Sequence, residues 1–268
     1  MSVTESGSVV SRSLIDLHFH ALPNVDDGPP SLENALDLCA AAAAAGTAVV
    51  VATPHINFEY PDVDADTVQT VVKELRAALE QAEIAIDLRT GAEVALVRAV
   101  EMPDEELRRL TLGGGPTVLL ELPWHATGAG MAAAVARVAG RGFGVLLAHP
   151  ERTPLLRDDH DLVCALVDGG AWCCLNAASL TDRAGRQTRN AARRLLAAGL
   201  IHAIASDAHD TVGRRPEVRS SLRAAGLSPA QIAYFTEEGP RALLDGLIPE
   251  PPPTVGGRGR RRPRWRAR

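Results

Sequence analysis

The stretch LIDLHFH, residues 14–20, decides the fold. Its first four residues read as a short buried strand, and the strand ends in two imidazoles one residue apart. In extended backbone alternate side chains share a face, so His18 and His20 reach the same point in space. Outward from this point the pattern repeats. Aliphatic or β-branched runs recur at 48–52, 84–90, 118–121, 144–148, 171–175 and 201–205. Helical patterns at 32–45, 64–82, 131–139, 159–167 and 187–198 separate them. Strands alternating with helices are the signature of βα units. Seven such strands predict a closed or nearly closed parallel α/β barrel, with a doubly wound open sheet as the alternative. SPAQ at 228–231 predicts one further helix start, a capping box with Ser228 as N-cap and Gln231 reaching back.

The chemistry sits where the strands end. After His18 and His20 come His55 in ATPH, Glu93 in GAE, Glu121 in LLEL, His149 and Arg152 in LLAHPER, and Asp207 and His209 in ASDAH. Of the strand ends only WCCLN lacks an evident ligand, offering Asn176 instead. In β/α barrels catalytic groups stand at the C-terminal ends of the strands. A lone histidine or buried acid is usually a satisfied structural residue. Five of the eight histidines at strand ends, accompanied by several acids, do not fit that explanation. Burying so many carboxylates without cations is very costly. Mixed imidazole and carboxylate donors suit Mn²⁺, Zn²⁺ or Fe better than Ca²⁺. So many donors require more than one ion, the arrangement that clamps the attacking and leaving oxygens in phosphoryl transfer. Arg152 and Arg215 then serve as forks for phosphate oxygens. His125, His160 and His202 have no comparable placement.

Bulk properties agree. A chain of 268 residues with 46% apolar content suits one large α/β domain. The four cysteines, at 39, 164, 173 and 174, form no CxxC pair and sit among apolar neighbours, which predicts free buried thiols. No apolar run approaches the ~18 residues of a membrane span. Residues 1–13 lack the basic and apolar regions of a secretory leader, so a cytoplasmic location is expected. Residues 256–268 carry seven arginines and no acid; without them 21 basic residues face 33 acidic ones, a body of about −12. An acidic body argues against nucleic acid as a partner. The expected organisation is a disordered 1–13, a catalytic domain at 14–248 and a proline- and arginine-rich disordered tail at 249–268, with weak contact to anionic surfaces as the tail's sharper reading.

Other chemistries fall away. A cysteine-dependent tyrosine phosphatase needs arginine six positions after its cysteine, but Ala45, Gly170, Ser179 and Leu180 stand there. GGG at 113–115 lacks the Gly-Lys-Ser/Thr of a P-loop, and no GxSxG elbow exists.

LIDLHFH, VDDGP (25–29), ATPH, GAE, LLEL, AHPER and SDAH, in this order, resemble the PHP (polymerase and histidinol phosphatase) superfamily. VDDGP, HPER, the late SDAH…RP and EEGPRALLDG (237–246) resemble its branch of bacterial manganese-dependent protein tyrosine phosphatases of capsule and exopolysaccharide synthesis. The resemblance covers roughly residues 14–247 and implies a distorted (β/α)7 barrel of the PHP type with three divalent ions, Mn first, with Fe or Zn as alternatives. One ion would take His18, His20, Glu93 and Asp207; a second would share Glu93 and use Glu121 and His149; a third would take Asp27, His55 and His209. Arg152 and Arg215 match the phosphate-contacting arginines. Asp26 stands as the alternative to Asp27, and Arg214 as the alternative to Arg215. The implied reaction is hydrolysis of phosphotyrosine on proteins by attack of a metal-bound hydroxide, and the implied partner is a bacterial tyrosine autokinase. Histidinol-phosphate or nucleotide phosphatase activity is the alternative within the superfamily, and a non-catalytic regulatory protein of this fold is the alternative outside enzymes.

Overall fold

A computed structural model of the chain describes residues 14–124, 127–253 and 255. The 1–13 segment, most of the arginine-rich tail and His125 lie outside the described residues.

Nine parallel strands are described: β1 (Leu14–Phe19), β2 (Thr47–Ala52), β3 (His55–Ile56), β4 (Asp87–Thr90), β5 (Glu93–Ala95), β6 (Thr117–Glu121), β7 (Gly144–Ala148), β8 (Trp172–Asn176) and β9 (Ala203–Ala205). They form two sheets, ordered β1-β2-β4 and β3-β5-β6-β7-β8-β9. The sheets meet on both sides. On one, β2 runs on into β3 through Thr53 and Pro54, and β4 into β5 through Gly91 and Ala92. Pro54 has no N–H to give, which breaks the ladder there, while its carbonyl accepts from Glu93 N at 3.0 Å. A Cβ on Gly91 would stand 2.6 Å from Val51 Cγ1, so only glycine lets these staves approach. On the other side β9 returns to β1: Asp207 N donates to His18 O and His20 N to Ala208 O, both at 2.9 Å. Counting β2–β3 and β4–β5 as single staves gives the seven staves of a distorted (β/α)7 barrel. The sequence runs at 48–52 and 84–90 thus each extend into a short second strand that carries a histidine or an acid.

Helices wrap the outside. Leu32–Ala44 is capped by Ser31, which accepts from Asn34 N, and Ala65–Gln81 by Asp64, which accepts from Thr67 N. In the latter, Val68, Val72, Leu75 and Leu79 are buried at helical spacing against the barrel. The capping box at Ser228 and Gln231 is present, opening Pro229–Ala233. Inside, Ile15, Leu17, Val51, Leu119, Leu146, Ala148, Cys174, Ala203 and Ala205 form a second core. Leu112, Leu243 and Leu244 close its N-terminal mouth, where Thr117 Oγ1 donates to Leu243 O at 2.8 Å. With the lower mouth plugged, polar side chains converge only at the C-terminal one.

The segment after 248 is not detached. Tyr234 Oη donates to Glu250 O at 2.5 Å, and Val255 packs against the outer core. The proline-rich stretch assigned by sequence to the tail therefore begins on the body of the domain.

Candidate functional site

The first two donors reach the site because β1 is irregular. Its register against β2 shifts between Asp16 and Phe19. Ile15 and Leu17 face the inner core, and the shift then turns His18 and His20 inward in place of Leu17's continuation. Asp16 stabilises the kink. Its fully buried carboxylate accepts from His18 N at 3.3 Å and from Ser206 N at 3.1 Å, tying β1 to β9. Burial pushes its pKa up to about 6, against those hydrogen bonds.

Glu93 is the hub. His18 Nε2 and His55 Nδ1 lie 3.1 Å from its Oε2, His20 Nε2 lies 3.4 Å from it, and His149 Nε2 lies 2.9 Å from its Oε1. Glu121 faces His55 Nδ1 at 3.7 Å. Asp207 Oδ1 stands 3.4 Å from His18 Nε2 and 3.7 Å from His20 Nε2. At the rim, Asp27 Oδ1 lies 3.5 Å from His55 Nε2 and 3.1 Å from His209 Nε2. All nine sequence candidates thus share one cluster. Their donor atoms fall into four overlapping groups: His18, Glu93 and His149; His18, His20 and Asp207; His55, Glu93 and Glu121; and His20, Asp27, His55 and His209.

Asp26 and Asp27 do different things. Asp26 is turned inward, accepting at 2.7 Å from His20 Nδ1 and at 2.9 Å from His55 N, so it fixes the His20 ring with Nε2 toward Glu93. Asp27 is 41% exposed and offers its oxygen to the cluster. Arg214, not Arg215, touches the cluster: its Nη2 donates to Asp207 Oδ1 at 2.7 Å and its Nη1 to Asp27 Oδ2 at 3.1 Å. Arg152 Nη1 donates to the other oxygen of Asp207 at 2.6 Å, beside Asn176 Nδ2 at 2.8 Å. Arg215 lies one layer out, 3.3 Å from Glu217. His149 and Asp207 both have left-handed backbone, φ 29° and 54°, strain of the kind held at functional sites.

The electrostatics call for cations. Glu121 is raised to about 7, by burial first and then by the charge of Glu93. His209 is lowered to about 4 by burial. Burial would lower His20 too, but the carboxylates of Asp26 and Glu93 lift it to about 10. The geometry is more telling. His55 Nδ1, Glu93 Oε1 and His209 Nε2 are buried and make no hydrogen bond, although each has an opposite partner within 3.1 Å. These atoms aim past one another at shared points, as donors to an ion do. A site of imidazoles and carboxylates with such buried lone pairs fits divalent transition metals.

Sequence reasoning passed over Asp16 and Glu151. Glu151 is fully buried, and its Oε1 accepts from Asn176 N at 3.0 Å, positioning the Asn176 that holds Asp207. For Asp16 the signal was present, an acid inside an otherwise apolar run, whereas Glu151 stands between Pro150 and Arg152 with no such mark. The thiols stand apart from the site chemistry. None of the four cysteines is in a disulfide, and burial pushes Cys39 up to about 12.

Comparison with known proteins follows the same lines. Residues 14–226 match the family model for capsular polysaccharide synthesis, CpsB/CapC. The chain is 27% identical over 245 residues to the tyrosine-protein phosphatase YwqE of Bacillus subtilis, covering 90% of this chain and 96% of that one. It superimposes with a TM-score of 0.80 and 27% identity on a chain from the crystal structures of YwqE from Bacillus subtilis and CpsB from Streptococcus pneumoniae, described as unique metal-dependent tyrosine phosphatases; 90% of this chain and 99% of that chain are covered. The lactonase Lmo2620 from Listeria monocytogenes shares the fold alone, at TM-score 0.52 and 12% identity over 87% of this chain and 95% of that one.

Proposed function

The chain belongs to the capsular polysaccharide synthesis CpsB/CapC family, and from that premise we propose that its strand-end cluster hydrolyses phosphotyrosine on protein substrates. The protein is a metal-dependent tyrosine phosphatase, as its relatives are named. The observation that carries this reading is the set of buried donor atoms of His55, Glu93 and His209 that face partners without hydrogen-bonding them, beside two guanidiniums on one carboxylate.

We assign three divalent ions, manganese first, with Fe or Zn as alternatives, to His18, His20, Asp27, His55, Glu93, Glu121, His149, Asp207 and His209. The overlapping donor groups support more than one ion. Bound there, the ions would supply Lewis acidity and a water acidic enough to attack phosphorus near neutral pH. The residues of the chain do the rest. Asp26 and Asn176 hold His20 and Asp207 in place. Arg152 and Arg214 present forks to the non-bridging phosphate oxygens and stabilise the charge that builds on them. A tyrosine phenolate, of solution pKa ≈ 10, leaves without a strong general acid. The partner we propose is a tyrosine-phosphorylated protein, a bacterial tyrosine autokinase involved in capsule or exopolysaccharide synthesis, met in the cytoplasm. Among the described residues no helix is long and apolar enough to cross a membrane.

The test is turnover by chelated and then metal-reconstituted protein. The panel is a phosphotyrosine peptide, the matching phosphoserine peptide and histidinol phosphate. Chelation should abolish activity, Mn²⁺ should restore it, and the phosphotyrosine peptide should be turned over fastest. Full activity after metal removal verified by elemental analysis overturns the metal chemistry, and preference for histidinol phosphate overturns the substrate.

A further inference from the structure

Beside the cluster lies a cavity of about 280 Å³. Arg152, Arg214 and Asp207 form its inner wall, and Arg183, Arg215 and Glu217 its outer wall. The inner arginines are already committed to Asp207. The outer pair is not matched in the same way. Arg183 and Arg215 share the single carboxylate of Glu217, at 3.5 Å and 3.3 Å, both long for charge-assisted contacts. Two guanidiniums against one carboxylate leave a net positive charge, and Arg215 Nε is buried without a hydrogen-bond partner. Thr188 and Ser221 add hydroxyls to the lining. This positive recess belongs to a body of net negative charge, so it is not the average surface repeated.

We propose that the recess is an anion subsite: Arg183 and Arg215 receive a second negatively charged group of the substrate chain, a carboxylate or a further phosphate, while the reactive phosphate sits on the metal cluster. The inference rests on the phosphotyrosine-phosphatase reading of the adjoining site. The two walls share one cavity, and an extended peptide advances ~3.3–3.6 Å per residue, so the second group lies roughly one to three residues from the phosphotyrosine. Arriving there, the anion satisfies Arg215 Nε and releases Glu217 from serving two cations. The subsite therefore reads the charge next to the phosphotyrosine.

The test uses metal-loaded full-length protein and peptides carrying a non-hydrolysable phosphotyrosine mimic. One peptide has neutral neighbours, one has glutamates within three residues, and one has a second phosphorylated residue. Calorimetric affinities should favour the two acidic peptides by roughly tenfold at low salt, with the margin shrinking as salt rises. Whichever acidic peptide binds tighter identifies the source of the charge. Arg183→Glu should erase or invert the margin, and Arg215→Lys, which keeps charge but loses the fork, should reduce it. Equal affinity for neutral and acidic peptides overturns the subsite, as does a margin that survives Arg183→Glu. Parallel turnover of the hydrolysable peptides separates the two readings. Absence of turnover with a retained binding margin sinks the phosphatase activity and leaves the subsite standing; turnover with no margin sinks the subsite alone.

Discussion

Arg214 and Arg152 grip opposite oxygens of Asp207, and Arg214 also reaches Asp27, which places both guanidiniums where a phosphate on the cluster would lie. Removing either removes a charge-assisted contact in a recess of low dielectric. Arg152→Ala and Arg214→Ala should each cost ~2–4 kcal/mol of transition-state stabilisation, roughly 10²–10³-fold in kcat/KM for a small aryl phosphate, with metal content unchanged. Arg215→Ala should cost clearly less on that substrate, because its guanidinium faces Glu217 and not the ligands. Kinetics with elemental analysis checks both, and a larger loss from Arg215→Ala than from Arg214→Ala reverses the assignment. This pair also shows what sequence does and does not reveal. The residue types and the order of strand-end motifs made eight donors legible, because each stands at or just beyond the end of an aliphatic run; Asp27 came only with the family resemblance of VDDGP. Adjacent candidates were another matter. Asp26 and Asp27, like Arg214 and Arg215, differ only in which way a turn points them. That depends on contacts with His20, His55 and Asp207 brought in from distant parts of the chain.

At the level of elements, the strands were legible as aliphatic runs and their breaks were not. Pro54 and Gly91 announce interruptions, but only the packed barrel shows that His55 and Glu93 begin strands of their own on the far side. The turn of β1 at Asp16 was equally hidden, since it depends on a hydrogen bond to Ser206, 190 residues away. The β8–β9 pair carries a testable consequence. His202 is fully buried just before β9, accepting through Nδ1 from Cys173 N at 3.1 Å, and burial lowers its pKa to about 3. An unfolded chain protonates this ring near pH ~6.5, whereas the folded one resists until about 3, so between those values the unfolded state binds the extra proton. Stability contributed by keeping the ring neutral is therefore complete above ~6.5 and falls as the pH drops toward 3. The slope is up to ~1.4 kcal/mol per pH unit. His202→Asn retains an acceptor for Cys173 N and cannot titrate. Its urea stability, measured beside wild type at equal metal loading, should fall less steeply between pH 6.5 and 4. Parallel slopes for the two proteins would show that His202 does not titrate against folding.

Across the whole molecule, an acidic catalytic body ends in a proline-rich strap and seven clustered arginines. The strap is part of the fold: Glu250 O accepts from Tyr234 Oη, and Val255 packs against the outer core, lining a groove with Leu180, Leu196 and Leu227. These contacts separate two truncations that look alike on paper. A chain ending after Val255 keeps both contacts, so its melting temperature, metal content and small aryl phosphate turnover should match those of the full chain. A chain ending after Ile248 leaves the buried Tyr234 without its acceptor and uncovers apolar surface, a loss of ~1–3 kcal/mol. At ~2–4 °C per kcal/mol for a domain of this size, its melting temperature should fall by roughly 3–10 °C while metal content is retained. The arginines themselves should matter only for large acidic substrates. Against a phosphorylated protein, full-length enzyme should outpace the Val255 truncation at low salt, and the gap should close once salt screens charges beyond a Debye length of ~8–10 Å. Calorimetric melting and kinetics at two ionic strengths read every arm. Collapse of the Val255 truncation, or loss of its small-substrate turnover, would mean that the arginine segment is structural and that the domain extends past Val255.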